Sequence, residues 1–141
     1  MHLSLLADIL HDEDCSCVIY SDGVVHRFRR RGVRDLYELY THDQAILAGA
    51  TIADKVVGKG AAALMAAGGV HGVYTDVISE PALELLRSAG VDITYGKCVP
   101  NIFNRASTDL CPVEKLCNGC ATAEECIPLI QQFIDQQTNP Q

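Results

Sequence analysis

The densest group of side chains able to do chemistry lies in Asp54-Lys55-Val56-Val57-Gly58-Lys59-Gly60, where two ammonium groups and a carboxylate interrupt a run of small apolar residues. Gly58 and Gly60 leave backbone N–H groups open beside Lys59, and such donors with an ammonium suit a phosphate or carboxylate. The spacing is not that of a P-loop, which needs Gly-x4-Gly-Lys-Ser/Thr. The plainer alternative is an ion pair of Asp54 with one lysine while the other is solvated. Glu80 stands directly before Pro81. It either caps the helix that Pro81 opens, where the helix dipole favours negative charge, or reaches Lys55 or Lys59. Asn104-Arg105 adds a guanidinium that can clamp an anion or tether its own loop. Read as a binding site, the group comprises Asp54, Lys55, Gly58, Lys59, Gly60, Glu80, Asn104 and Arg105. Whether it also catalyses is left open. If it does, Lys55, Lys59, Asp54 and Glu80 are the candidates, with a desolvated lysine as base or Schiff-base amine.

Seven cysteines form a second chemical feature. Cys111, Cys117, Cys120 and Cys126 are spaced C-x5-C-x2-C-x5-C, which contains one Cys-x2-Cys knuckle where a common zinc module has two. A tail metal site, a Cys117–Cys120 redox pair and separate packed thiols all remain open, with separate thiols the leading expectation. Cys15-Ser16-Cys17 is too tight for an easy internal disulfide, and Cys98 reads as half-buried. The histidines at 2, 11, 26, 42 and 71 are scattered, and no catalytic triad or helical metal pair follows from their spacing. Arg27, Arg29, Arg30, Arg31 and Arg34 form a basic cluster, yet the net charge of -7 opposes general nucleic-acid binding. A solvated edge, or salt bridges between subunits of a homo-oligomer, is the expectation there.

These residues need elements to hold them. Apolar spacing predicts a helix over 3–10. Asp22-Gly23 between two β-rich runs predicts a hairpin with a type I′ turn. A helix over 33–40 follows. Next come buried strands over 50–57 and 72–78, helices over 58–67 and 81–89, and a short strand over 91–95. Two strand–helix–strand passages imply parallel pairing with right-handed crossovers, and the hairpin adds antiparallel strands. The fold expected is α/β: a three-layer α/β/α sandwich with a mixed sheet. Thr122-Ala123-Glu124-Glu125 has capping-box spacing for a last helix through Leu129, Ile130, Phe133 and Ile134, which Pro128 would kink or start later. Residues 136–141 read as frayed.

With 141 residues, 48% of them apolar, the chain has the size of one domain, 1–141, with its core over about 17–116 and a cysteine-rich helical extension over about 117–136. No apolar run reaches the roughly 18 residues of a membrane helix, and no secretory signal is visible. A cytoplasmic protein is expected.

Residues 77–91 (Val77-Ile78-Ser79-Glu80-Pro81-Ala82, then Leu83-Glu84-Leu85-Leu86-Arg87-Ser88-Ala89-Gly90-Val91) resemble the strand-to-helix turn of the cytidine deaminase superfamily. There a strand ends in Glu-Pro-Cys-x-x-Cys, and both cysteines bind zinc together with a His or Cys of the preceding helix, beside a glutamate that acts as acid and base. Glu80 and Pro81 match, but the cysteine positions hold Ala82 and Leu85. Residues 56–66 supply no His, Cys, Glu or Asp. The resemblance therefore implies the scaffold without its zinc. A more specific resemblance is to the bacterial domain of unknown function family 1893. It is carried by residues 49–62, by Val77-Ile78-Ser79-Glu80-Pro81-Ala82, by Pro100-Asn101-Ile102-Phe103-Asn104-Arg105 and by Cys111-Pro112-Val113-Glu114. It implies a cytidine deaminase-like fold. The function expected is binding of a nucleotide-like or other small anionic ligand at the Lys/Asp/Glu pocket, with no cofactor implied. The alternative is a non-catalytic assembly or regulatory module on the same scaffold.

Overall fold

Strands β1 (Cys17–Ser21) and β2 (Val24–Phe28) form the hairpin that Asp22-Gly23 predicts. Asp22 and Gly23 have φ of 48° and 79°, the positive pair that a type I′ turn demands. The computed structural model describes residues 2–30, 33–103 and 111–138. β1 also pairs antiparallel with β3 (Thr51–Val57), which pairs in parallel with β4 (Gly72–Ser79), and β4 pairs in parallel with β5 (Asp92–Val99). The result is a mixed five-stranded sheet in the order β2-β1-β3-β4-β5. β5 continues four residues past the predicted 91–95 because its parallel ladder with β4 extends to Val99.

Helices cover both faces. On one, α1 (Leu3–Asp12) buries Leu6 and Leu10 against Cys15, Val18 and Ala53. On the other, α4 (Lys59–Gly68) and α5 (Glu80–Ser88) close over Ile19, Ile52, Val57 and Ile78. The side chains of one strand divide between these layers because successive residues point to opposite faces. Behind α4 lie α2 (Arg34–His42), α3 (Gln44–Leu47), α6 (Pro112–Cys117) and α7 (Ala123–Thr138). Helices α3 and α6, of four and six residues, are too short to leave an apolar period in the sequence. α7 runs through Pro128 rather than starting after it. Its first four N–H groups lack intrahelical acceptors in any case, so a proline at the sixth position forfeits only one bond. Thr122 caps it, its Oγ1 accepting from the Glu125 N–H at 3.3 Å. Residues 136–138 belong to this helix, and 139–141 lie outside the described residues.

α4 packs closely because its residues are small. At Gly60, an added Cβ would meet Val113 Cγ1 of α6 at 2.3 Å. Gly60→Ala is thus expected to cost about 1–3 kcal/mol by overpacking, read as a lower midpoint of thermal unfolding. Gly119→Ala, where nothing lies within 4 Å, should leave the midpoint unchanged. Equal midpoints for the two variants would remove this account of the α4–α6 contact. Among the described residues no helix is long and apolar enough to cross a membrane.

Candidate functional site

Three chain segments meet where β3 and β4 deliver the starts of α4 and α5. The N-cap of α4, Gly58, has no side chain to satisfy the first N–H groups of the helix. The carboxylate of Glu114, brought in by α6 and 1% exposed, does so instead. Its Oε1 accepts from the Lys59 N–H at 3.1 Å and from Ser79 Oγ at 2.5 Å, and its Oε2 accepts from the Ile102 N–H. Ser79 is also the N-cap of α5, its Oγ accepting from the Ala82 N–H at 3.3 Å. One buried carboxylate therefore ties both helix starts and the segment after β5. The anion that meets the backbone donor of Lys59 in Gly58-Lys59-Gly60 is thus a side chain of the same protein. Glu114 is the member of this junction that spacing does not reveal. Its only sequence signal is its place in Cys111-Pro112-Val113-Glu114.

Lys59 itself is 8% exposed. Its Nζ donates to the carbonyls of Asn118 at 3.4 Å and of Cys120 at 2.5 Å, in the Cys117-Asn118-Gly119-Cys120 turn. An ammonium has three N–H donors. No carboxylate among the described residues forms an ion pair with this one. Lys59 lies at the wall of an open groove of about 900 Å³ between α5 and the start of α7, which Glu80, Glu84, Asn101, Cys120 and Glu124 also line. Glu80 is exposed in the first turn of α5, and Ser79, not Glu80, supplies the cap.

The other residues read as one pocket separate. Lys55 forms an ion pair with Asp14, just beyond α1, so it belongs to the α1 side of the sheet. Its neighbour Asp54 faces the opposite layer, across the β1–β3 ladder from Cys17. Burial pushes the Asp54 carboxyl up to about 7 against the lowering effect of the Val56 and Lys55 N–H groups and the Cys17 thiol. Burial likewise raises the Cys17 thiol. Of the candidates, Lys59 and Glu80 share the groove, Gly58 and Gly60 shape the close contacts with α6, and Asp54 and Lys55 lie apart from it. Asn104 and Arg105 lie outside the described residues.

All seven cysteines are free thiols. Cys117 and Cys126 are buried in the α4 layer, with Cys111 and Cys120 half-buried beside them, and burial raises the Cys117 and Cys126 thiols. Among the described residues no group of three or more His, Cys, Asp or Glu is arranged to hold a metal ion, the Cys111, Cys117, Cys120 and Cys126 set included. Within the basic cluster Arg27 pairs with Glu13 at 2.7 Å and Arg30 with Asp35 and Glu38, while Arg31 lies outside the described residues. On the α1 side, Asp76 of β4 accepts from Tyr74 Oη at 2.7 Å, holding that phenol's proton more tightly, and meets His11 Nε2 at 2.8 Å. The scattered histidines gave no hint of this link between α1 and the sheet.

The family model described as a domain of unknown function, DUF1893, matches residues 5–134. Among solved structures, a DUF1893 family protein from Thermotoga maritima is 28% identical, with a TM-score of 0.84 over 92% of this chain and 88% of that one. No curated protein matches the chain.

Proposed function

This chain belongs to the DUF1893 family, and from that premise we propose that it is a zinc-independent domain on a cytidine deaminase-like scaffold that binds a small ligand through an anionic group at Lys59. The strand order, with β1 antiparallel and β3, β4 and β5 parallel, is compatible with that scaffold. Zinc does not fit: the positions where the resemblance puts two thiolates hold Ala82 and Leu85, both packed in the core. A tetrahedral site needs ligands that these residues lack.

The observation that carries the reading is Lys59, a buried ammonium with no carboxylate partner among the described residues, on the wall of an open groove. A charge buried without a counter-ion is costly unless a partner completes it. A ligand carboxylate or phosphate would do so, taking the remaining N–H. Glu114 already saturates the backbone donor, so the anion meets the side chain rather than the helix terminus.

Thermal unfolding and NMR titration of the full chain with acetate, inorganic phosphate and nucleoside monophosphates test this. At least one probe should shift the amides around Lys59 and raise the unfolding midpoint. Lys59→Met keeps the apolar stem and should weaken that binding about 10–100-fold, the range for a lost charged hydrogen bond. Absence of binding by every probe, or unchanged binding by a folded K59M, would overturn the reading. In that event the assembly module becomes the better account.

A further inference from the structure

We infer that the ligand of this groove is zwitterionic, with a carboxylate for Lys59 and an amine, separated from it by an aliphatic stretch, for the Glu80–Glu84 wall. The inference rests on the reading that Lys59 takes an anionic group. Four described residues of the lining are charged: one ammonium, Lys59, and three carboxylates, Glu80, Glu84 and Glu124. Glu80 and Glu84 are four apart on α5 and so project from one face. Both are exposed, and Glu124 stands on the other wall in the first turn of α7. Glu80 and Glu124 each sit in a first turn, where the helix dipole favours the ionised form.

The lining therefore presents charges of both signs. The ammonium is buried, and the three carboxylates are exposed. A dianionic phosphate or a dicarboxylate would satisfy Lys59 but would bring surplus negative charge against three carboxylates, on a protein of net charge -7. A pure polyamine would satisfy the carboxylates and leave Lys59 unpaired. A molecule carrying one charge of each sign satisfies both. Pro81, Leu85 and Ala89 on α5 supply an apolar wall to the same groove, suited to methylenes between the charged ends. A volume of about 900 Å³ exceeds what one inorganic ion requires and falls within the range of small-molecule sites.

The test is NMR titration of the full chain with 6-aminohexanoate and lysine, compared with hexanoate, 1-aminohexane and adenosine monophosphate. The amino carboxylates should bind at least tenfold more tightly than either hexanoate or aminohexane, shifting amides at Lys59, Glu84 and Glu124. Glu80→Gln with Glu84→Gln should reduce 6-aminohexanoate to the affinity of hexanoate, and Lys59→Met should reduce it to that of aminohexane. If hexanoate or the nucleotide binds as tightly as the amino carboxylates and K59M abolishes that binding, the zwitterion is wrong while the anionic contact stands. If aminohexane matches them and K59M changes nothing, or if no probe binds, both readings fail together.

Discussion

Glu114→Ala is expected to lower the stability of the folded chain by about 3–5 kcal/mol, because three buried or half-buried donors lose their acceptor at once. This side chain joins α6 to the start of α4, the end of β4 and the segment after β5. The deletion would leave the Lys59 N–H, Ser79 Oγ and the Ile102 N–H without their acceptor in a place that is 1% exposed. Each orphaned donor carries a desolvation cost of about 1–3 kcal/mol. Water entering the vacated space would recover part of that. Glu114→Gln should fall between the two, since its amide oxygen can keep the Lys59 and Ser79 bonds while its NH2 group faces the Ile102 N–H, donor against donor. Chemical denaturation of the three proteins gives the order directly. A Glu114→Ala protein as stable as the parent would show that this carboxylate is not what holds the starts of α4 and α5 together. Ser79→Ala adds a check. It removes both a cap and a Glu114 contact, so its cost combined with Glu114→Ala should be less than additive.

The outline of this fold can be read from the sequence, whereas the site is only partly legible. The hairpin follows from Asp22-Gly23, because two consecutive positive φ values select those residue types. The alternation from β3 to β5 follows from buried apolar runs broken by helices of the right length. α3 and α6 leave no such trace. For the site, nearness in sequence is a poor guide. Asp54 and Lys55 are adjacent, yet a strand sends them to opposite layers, so Lys55 meets Asp14 and never Lys59. Strand alternation alone could have separated them. Glu114 is a different case. It meets Lys59 across 55 residues, and its register against α4 depends on how α6 docks, which no local pattern encodes. What the deaminase resemblance would need for zinc is a matter of residue type and so is legible: Ala82 and Leu85 cannot ligate, wherever the chain puts them.

Separating the two neighbours also has an energetic consequence, and it yields the second large effect: Asp54→Asn should stabilise the protein at pH 8 and have far less effect at pH 5. The Lys55 ammonium is taken by Asp14 on the far face, so Asp54 is half-buried beside Cys17 without a counter-ion of its own among the described residues. Burial raises its carboxyl from 3.8 to about 7, and the charge of Asp76 adds to the same shift. Between those two pH values the folded state binds more protons than the unfolded state, so this group's contribution to stability falls as pH rises. Below the window both states are protonated, and the folded protein avoids the cost of a buried charge. Above it both are ionised, and the cost is constant. At about 1.4 kcal/mol per pH unit, the full effect is on the order of 4 kcal/mol at most. Asparagine is never charged and keeps an oxygen for the Val56 N–H. The gap in unfolding free energy between D54N and the parent should therefore widen steadily from about pH 4 to pH 7 and level off by pH 8. A gap that stays flat across that range would mean that Asp54 keeps an ordinary carboxyl. The burial beside Cys17 would then have no electrostatic cost.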